Sequence, residues 1–417
     1  MFTDIDSNLN FADIAWMITA TIFVLMMTPG LSFFYGGMVR SKNVISTMLQ
    51  SFIAMGVISV IWVVVGFSLA FGEDVGHFIG NPGTFFMFVN VGGATDKLLA
   101  PTIPLALYAL FQMKFAIITP SLITGSFAER VRFSGYLVFM ILFCIFVYCP
   151  LAHWTWHPDG FLRQMGVLDF AGGIVVHASS GVAALAGAIF LGRRKESGQP
   201  ANIPFVLLGA AMLWLGWFGF NAGSSIAVKA FLNTNTASAT AMMTWVVFDC
   251  LRGRKPSAMG AAIGAVVGLV AITPSAGYVT VGESIFIALV VTVICNMAVS
   301  WKNKKNSFDD ALDVFPTHGV GGIVGTIMTG IFVYNATENI TYWQNLLNHI
   351  IAVVIVCGYT FIVTYALYWI TDKMIPMRVS EKSEKIGLDM SQHDERYGIE
   401  TNRELAEYFD HGVDTKS

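Results

Sequence analysis

Two stretches decide the fold of this 417-residue chain: DFAGGIVVHASSG at residues 169–181 and DDALDVFPTHGVGG at residues 309–322. In each stretch an aspartate stands eight residues before a histidine, Asp169 before His177 and Asp310 before His318. Ionisable groups at membrane depth are costly and usually face a pathway or a partner. Two such pairs at matching positions of two halves predict a duplicated membrane protein built around a pore.

The composition predicts a membrane protein of the all-α, polytopic class. Hydrophobic residues make up 55% of the chain and charged residues 12%, with a mean hydropathy of +0.64, whereas a soluble chain carries about 25% charged residues. A helix needs roughly 20 apolar residues to cross a bilayer, and eleven such segments are present, followed by a polar tail. We therefore predict a transmembrane domain over 1–371 and a tail over 372–417. The segments are about 12–35, 44–71, 102–126, 133–152, 170–191, 203–224, 231–251, 258–276, 279–301, 317–335 and 346–371.

Positive charges alternate between the loops that join these segments. If the first helix enters from outside, the inner loops hold thirteen lysines and arginines and the outer segments hold three. Because lysine and arginine concentrate on the cytoplasmic side, we predict an outer N-terminus, a cytoplasmic tail and a location in the cell membrane. The inner residues are Arg40, Lys42, Arg130, Arg132, Arg193, Arg194, Lys195, Arg252, Arg254, Lys255, Lys302, Lys304 and Lys305, and the outer ones are Lys97, Arg163 and Lys229. The first ten residues lack the basic region of a signal peptide, so we expect the first helix to direct insertion.

Helices 1–5 and 6–10 each contain five crossings, so two copies must run in opposite directions through the bilayer. This is the inverted-repeat arrangement, in which the binding site lies near the midplane. Small residues follow both histidines closely: Ala178, Ser179, Ser180 and Gly181 in one copy, and Gly319, Gly321, Gly322 and Gly325 in the other. Glycine at such spacings lets helix backbones approach closely. The glycines therefore indicate helix packing, and the eleventh helix is expected to brace the bundle.

The two histidines allow two interpretations. One is an ordinary interhelical hydrogen bond. The other is a pair at a two-fold axis, whose outward nitrogens offer one donor and one acceptor to a passing solute. Asp169 likewise is either a helix N-cap or a buried carboxylate that orients loop amides and adds negative potential, and these two interpretations are compatible. Asp310 and Asp313 are expected to have the corresponding capping role near helix 10.

Aromatic residues form a second pattern. Phe111 and Phe115 are spaced i and i+4 and so share a helix face, and Phe220 precedes Asn221 and Ser224 on helix 6. Trp154 and Trp156 lie at the outer end of helix 4. Such residues commonly pack or belong to the interfacial aromatic belt. The alternative is a cation–π site at a pore mouth, worth about 0.5–2 kcal/mol, above a gate of phenyl rings.

Six stretches along the chain match one family pattern. They are GLSFFYGGMVRSKN (30–43), FQMKFAIITPSLITGSFAER (111–130), LDFAGGIVVH (168–177), GWFGFNAGS (216–224), DDALDVFPTHGVGGIVG (309–325) and GLDMSQHDERYG (387–398). Together they resemble the ammonium transporter (Amt/Mep/Rh) family, more closely its bacterial and archaeal Amt branch. They run from the first helix into the tail and cover nearly the whole chain.

The resemblance implies the ammonium-transporter fold, an eleven-helix homotrimer in the bilayer with one pore per subunit. It also implies a mechanism in which ammonium is captured as a cation and deprotonated near the gate, so that ammonia crosses the pore and the proton follows through the histidines. The implied roles are recruitment for Trp156, Phe115 and Ser224 with support from Asp169, gating for Phe115 and Phe220, pore lining and proton relay for His177 and His318, and a lower-pore position for Trp217.

Lys114 departs from the family pattern. It stands directly before Phe115, where the family usually has methionine or another uncharged residue. A charged lysine at a helix centre costs roughly 2.5–3.5 kcal/mol. Adjacent helix residues point about 100° apart, so we expect Lys114 to lie off the Phe115 face. Its role is then at an interface or in the structure, with an effect on transport rate or selectivity as the alternative.

The tail resembles the family's cytoplasmic regulatory tail through Glu384, Gly387, Leu388, Asp389, His393 and Tyr397. That resemblance implies packing beneath the subunits and docking of a PII-type regulatory protein. Residues 399–417 allow either a short amphipathic helix or a disordered terminus.

Three functional hypotheses follow, of which ammonium transport agrees best with the motifs. An ammonium sensor with the same fold and little transport is the alternative, although the tail is too short for a kinase domain. A membrane enzyme is disfavoured because the histidines have no nucleophilic cysteine or carboxylate–histidine metal cluster at ligand spacing. The cysteines show no metal-binding spacing, and no GxGxxG motif stands between a strand and a helix. We therefore expect no cofactor, metal or nucleic-acid partner.

Overall fold

The structure, a computed structural model, describes residues 8–225, 227–305, 308–334 and 340–398. The prediction for 399–417 lies outside these residues. The described chain is mostly helical and has one antiparallel hairpin, β1 (Asp74–Val75) with β2 (Ile79–Gly80). The α-helices are α1 (Phe11–Met38), α2 (Val44–Ile61), α3 (Phe67–Phe71), α4 (Leu105–Phe127), α5 (Phe133–Phe143), α6 (Cys149–Trp156), α7 (Phe161–Gln164), α8 (Ser179–Leu191), α9 (Ile203–Ala222), α10 (Ala227–Leu251), α11 (Ala258–Ile272), α12 (Val281–Lys305), α13 (Val320–Phe332), α14 (Tyr342–Met374), α15 (Glu381–Ile386) and α16 (Leu388–His393).

Four π-helical turns interrupt or begin the membrane helices: Trp62–Gly66, Cys144–Tyr148, Gly173–Ala178 and Phe315–Gly319. The first joins α2 to α3, the second joins α5 to α6, and the other two precede α8 and α13. Single π-turns of this kind occur frequently at functional sites. Here the last two contain His177 and His318.

The helices confirm the predicted class. Among the described residues, eight helical spans are long and apolar enough to cross a membrane. The helices α10 and α11 and the segment 315–332 occupy the three remaining predicted positions. Helix α10 has 25 residues and exposes apolar side chains such as Val228 and Met243, whereas α11 is shorter and is largely buried inside the bundle.

The packing follows the repeat. Helix α1 packs on α9, the first helix of the second copy. Within the copies, α4 packs on α8 as α11 packs on α13, and α2 packs on α5 as α10 packs on α12. The last helix, α14, contacts α5, α8 and α13 and so braces both copies.

Glycines allow the two copies to cross closely. A Cβ atom added at Gly181 would lie 2.1 Å from the backbone nitrogen of Gly319, and one added at Gly322 would lie 2.6 Å from the carbonyl oxygen of Gly173. Real Cβ atoms do not approach backbone atoms so closely. The two histidine-bearing segments therefore touch backbone to backbone, as the small-residue pattern predicted.

The loops rich in lysine and arginine meet at one end of the bundle, which we call the basic end. Buried Glu129 accepts hydrogen bonds there from the Arg40 backbone and side chain and from Arg194 Nη1, at 2.9–3.0 Å. Burial alone would raise the pKa of Glu129, but the two guanidinium groups outweigh it and lower the pKa. Asp309 pairs with Arg194 as well, at 2.8 Å. These ion pairs tie the loops after α1, α4, α8 and α12 to one another.

The tail is held against the basic end by backbone hydrogen bonds and by the carboxylates of Asp389 and Glu384. Arg132 N donates to Met377 O at 2.7 Å, which starts a short antiparallel contact beside the α4–α5 loop. Asp389 accepts the backbone N–H groups of Ile45 and Ser46 at the start of α2, at 3.1 and 2.8 Å. Burial raises the pKa of this aspartate to about 6. The tail therefore caps the helix that follows the first inner loop.

Two further tail residues named from the sequence explain how the tail fits this end. Glu384 is 2% exposed and pairs with Arg378 at 2.9 Å. Gly387 has φ +106°, and a Cβ atom there would lie 2.5 Å from the carbonyl oxygen of Lys42. Only glycine fits this close approach, because a side chain is excluded by both the backbone angle and the neighbouring chain.

The crossing of the copies gives a stability prediction. We expect Gly181→Ala to lower the midpoint of thermal unfolding, because overpacking a close contact costs about 1–3 kcal/mol. Gly358→Ala is the matched control, since its added methyl group meets nothing within 4 Å, and it should keep or raise the midpoint. Intrinsic fluorescence of the detergent-purified variants during heating measures both. Equal midpoints for the two variants would contradict the backbone contact.

Candidate functional site

The two predicted histidines meet at the centre of the bundle. Their Nδ1 atoms lie 3.3 Å apart, and their rings are 5.4 Å apart at 26°. His177 is 1% and His318 is 3% exposed. When one Nδ1 donates to the other, one Nε2 atom is left as an acceptor and the second as a donor. The geometry therefore matches the second interpretation given above, a pair that presents both functions.

The Asp169 carboxylate forms the turn that carries His177. It accepts four consecutive backbone N–H groups, from residues 172–175, at 2.6–3.2 Å. This accounts for its position eight residues before the histidine, since the π-turn begins with four free N–H groups that need an acceptor. The carboxylate is fully used in these bonds. Asp169 therefore caps the free N–H groups at the start of the turn as a buried carboxylate, so its two compatible interpretations agree with the structure.

Asp310 repeats this arrangement in the second copy. Its carboxylate accepts from Val314 N and Phe315 N at 3.1 and 2.7 Å, and burial raises its pKa to about 6. The predicted capping role of Asp313 is wrong. That residue has φ +60° and pairs instead with Lys302, whose ammonium also donates to the Asp310 carbonyl.

Aromatic rings cover the histidine pair on the side away from the basic end. Phe115 and Phe220 face each other with centroids 4.3 Å apart at 34°, and Phe220 lies 5.8 Å from the His177 ring. Trp156 meets Phe115 edge-on at 5.8 Å, and its indole N–H donates to the Asp169 carbonyl at 3.0 Å. The sequence thus predicted rings that the fold brings into one column from Trp156 to His177. We call this side the Trp156 end.

The remaining predicted residues lie around this column. Ser224 follows Phe220 by one turn, is partly exposed, and donates to the Phe220 carbonyl at 3.1 Å. Trp217 stacks on His177 at 5.2 Å and 18°, and its indole N–H donates to Thr273 Oγ1 at 2.9 Å. That bond fixes the tryptophan against the histidine pair.

A narrow, mainly apolar cavity begins at the rings and contains both histidines. Its lining comes from α1, α4, α9, α11 and the two π-turns, and so from both copies. The lining residues are Met27, Leu31, Phe34, Ile118, Leu122, His177, Leu213, Trp217, Phe220, Val266 and His318. A cavity with two polar groups among alkyl and aromatic side chains suits a small neutral molecule that forms hydrogen bonds, and disfavours a bare ion.

Lys114 lies on the outer face of α4, away from the ring column. It is partly buried, and its ammonium contacts the sulfur of Met113 at 3.7 Å. Leu110, one turn earlier, is 41% exposed. No carboxylate of the described ranges 8–225, 227–305, 308–334 and 340–398 lies within ion-pair distance of Lys114. The face prediction for Lys114 agrees with this geometry.

Comparisons with known proteins agree with this arrangement. The sequence model described as Ammonium Transporter Family matches residues 15–397. The chain belongs to the ammonium transporter family. It is 42% identical to an ammonium transporter of Bacillus subtilis over 400 residues, with 92% of this chain and 98% of that protein covered. It is 39% identical to ammonium transporter Amt1 of Archaeoglobus fulgidus over 397 residues, covering 92% and 98%.

Solved structures show that this chain shares its fold with proteins of known structure. The crystal structure of Mep2 from Candida albicans superposes with a TM-score of 0.85 at 34% identity, covering 99% of this chain and 94% of that one. A structure titled Sensor Amt Protein superposes with a TM-score of 0.85 at 29% identity, covering 91% and 98%. The predicted family and fold are confirmed, and the family is one of membrane transporters and not of enzymes.

Several residues beside the site of this ammonium transporter family member were not predicted from the sequence. Thr273 holds Trp217, and buried His349 accepts from the Leu168 backbone at 3.1 Å beside Asp169. Trp154 packs inside the protein, one of the two ordinary roles expected for it, but its hydrogen bond to the Phe78 carbonyl at 2.7 Å was not predicted. Their partners are far away in sequence, so no local pattern could identify them.

The four bonds to Asp169 give a second prediction. In Asp169→Asn one of the two carboxylate oxygens becomes an amide that cannot accept, and each buried donor left unpaired costs about 1–3 kcal/mol. We expect a lower thermal midpoint and faster hydrogen exchange at residues 172–175. The control is Asp159→Asn, at a side chain that is 51% exposed. Unchanged exchange in Asp169→Asn would contradict the capping role.

Proposed function

We propose that this protein transports ammonium across the cell membrane. The observation that carries the proposal is the column of Trp156, Phe115 and Phe220 leading to the pair His177 and His318. The family and its transporters, such as that of Bacillus subtilis, support the choice of substrate. Ammonium is a cation that can lose a proton, and the column offers one environment for each of its two forms.

Recruitment takes place at Trp156 and Phe115, with Ser224 nearby. The faces of aromatic rings attract a cation by about 0.5–2 kcal/mol, and the Ser224 hydroxyl oxygen can accept an N–H group. Asp169 contributes by holding its carbonyl on the Trp156 indole. Potassium is attracted in the same way, so this site concentrates cations but does not by itself select among them.

Selection follows from deprotonation at the gate. Phe115 and Phe220 are 1% and 0% exposed, so a charged ion that passes between them loses its hydration water at a high cost in free energy. Ammonium can avoid this cost by releasing H⁺ and passing as NH₃, whereas potassium and sodium have no proton to release. The released proton passes to an unprotonated nitrogen of the His177–His318 pair and from it to the other side, so the net movement is one charge per ammonium.

Orientation and assembly complete the proposal. The basic end faces the cytoplasm, in agreement with the preference of lysine and arginine for that side, and the Trp156 end faces outside. Three copies form the homotrimer of the family, which native mass spectrometry in detergent would detect as a threefold mass. The docked tail, residues 375–398, offers a PII-type regulatory protein a surface continuous with the inner loops.

Ammonium-evoked currents test transport. We expect purified protein in liposomes on a solid-supported membrane to give a sustained, saturable current with ammonium and none with potassium. Trp156→Leu should raise the half-saturating ammonium concentration about 2-fold to 30-fold, the range of one cation–π contact, and keep the maximal current. Empty liposomes are the control. A native response equal to that of empty liposomes would refute transport.

A sensor with little transport is the second candidate, because Lys114 adjoins the gate and one similar structure is titled Sensor Amt Protein. We expect Lys114→Met to change the size of a sustained current and nothing else, since the charged side-chain group of Lys114 lies off the ring column. The same current measurement on native protein and variant decides between the two functions. A brief binding transient in native protein that becomes sustained in the variant would favour the sensor.

A further inference from the structure

One buried histidine outside the pore has an unusual set of partners. His153 on α6 is 0% exposed. Its Nδ1 lies 3.0 Å from the Ala70 carbonyl oxygen at the end of α3, and its Nε2 lies 2.9 Å from Asp74 Oδ1 in the β1–β2 hairpin. Both ring nitrogens therefore face oxygen atoms that accept hydrogen bonds.

This geometry fixes the number of protons in the pair. A neutral imidazole has one N–H group and can donate to only one of these oxygens. Both contacts are satisfied only when the pair formed by His153 and Asp74 keeps a second proton, on the imidazole or on the carboxyl group. Loss of that proton would leave a nitrogen lone pair facing a carboxylate inside the protein, which is unfavourable.

Asp74 favours the charged form of this pair. Burial alone would raise its pKa, but the hydrogen bond from His153 and the backbone N–H of His77 outweigh it and lower the pKa. The same carboxylate therefore accepts from the hairpin backbone and from α6. We call this connection, Ala70–His153–Asp74, the outer clamp.

The outer clamp holds the helix turn that presents Trp156. His153 lies three residues before Trp156, and its carbonyl accepts the His157 N–H at 3.2 Å, which closes the last turn of α6. Trp154 in the same turn donates to Phe78 O of the hairpin. The turn is thus fixed to the hairpin on one face, and Trp156 meets Phe115 from another. Release of the clamp would free the turn at its base.

Other titratable groups surround the clamp. The His157 ring stacks on His153 with centroids 4.4 Å apart, and its Nδ1 accepts from the Asp159 backbone at 3.1 Å. Because that nitrogen is an acceptor, His157 is neutral and its ring does not repel a charged neighbour. His77 is 55% exposed, and its Nδ1 lies 3.4 Å from Asp74 Oδ2. The same His77 nitrogen lies 2.7 Å from the Asp159 carbonyl oxygen. These groups and the Asp159 carboxylate can bias the clamp, but of these three described histidines only His153 has an acceptor at hydrogen-bond distance from each ring nitrogen.

We propose that His153 is a positioning residue for ammonium recruitment, and that its proton-retaining bond to Asp74 makes the affinity of the Trp156 site depend on the outside pH. The inference rests on the proposed function, because it assigns the regulated step to that site. When the clamp holds its proton, the turn is rigid and ammonium binds more tightly. When the clamp loses it, the turn loosens and binding weakens.

Matched variants separate the proton from the contact. His153→Gln removes the pair of hydrogen bonds that His153 forms with the Ala70 carbonyl and with Asp74. Asp74→Asn keeps it without the extra proton, since an amide can donate to Nε2 of a neutral His153 while its oxygen accepts from His77 N. His77→Gln is the control, a histidine beside the same carboxylate that is not part of the clamp. All four proteins are compared as full chains in liposomes, with equal pH on both sides.

Half-saturating ammonium concentration and maximal current are measured between about pH 5 and about pH 8, where histidines titrate. In native protein and His77→Gln the half-saturating concentration should rise about threefold to tenfold with pH, the effect of one hydrogen bond. In Asp74→Asn it should stay at the low value throughout, and in His153→Gln at the high value, with maximal currents unchanged. Elution profiles and thermal midpoints check folding, and Asp74→Asn remains decisive if His153→Gln does not fold.

Two failures are distinguishable. A native pH dependence that persists in Asp74→Asn, or a change in maximal current alone, would overturn the clamp while ammonium transport stands. A native protein without ammonium current would overturn transport, and the clamp inference with it.

Discussion

The close backbone contact of each histidine-bearing π-turn with the helix that follows the other π-turn is the constraint on which the rest depends. Gly181 against Gly319 and Gly322 against Gly173 bring the two turns together without side chains between them. The histidines can then place their Nδ1 atoms 3.3 Å apart. A methyl group at the crossing would push the turns apart, and a hydrogen bond lengthened by even half an ångström is much weaker. The pair thus exists because the helices have no bulk where they cross.

Each turn also needs its own acceptor. A π-turn that begins inside a bundle has unpaired N–H groups and no water to satisfy them. Asp169 and Asp310 supply carboxylates at equivalent positions, with four bonds in one copy and two in the other. The second copy adds a contact that the first copy does not have: the Lys302 ammonium pairs with Asp313 and donates to the Asp310 carbonyl. The two copies thus hold their histidine-bearing turns with different sets of polar contacts.

Local patterns explain why much of this could be predicted from sequence. The eleven apolar segments, the Asp–His spacing and the small residues each report one helix or one turn, and all of these agree with the structure. The capping prediction for Asp313 failed because the partner of this residue, Lys302, belongs to the previous helix. The hydrogen bond of Trp154 could not be predicted because the hairpin that accepts it is distant from α6 in sequence. The outer clamp could not be predicted from the sequence for the same reason, since His153 and Asp74 are 79 residues apart.

The histidines of this protein differ in function because their partners differ. His349 donates from Nδ1 to the Asn345 carbonyl and accepts the Leu168 N–H at Nε2, so one neutral tautomer satisfies it completely. His153 faces two acceptors and needs a second proton. In the central pair each Nδ1 faces the other, and His177 Nε2 has no partner among the described residues. Of these described histidines, only the central pair can exchange its donor and acceptor roles without losing a bond to the rest of the protein. The other two histidines instead hold backbone and carboxylate groups of neighbouring segments in place.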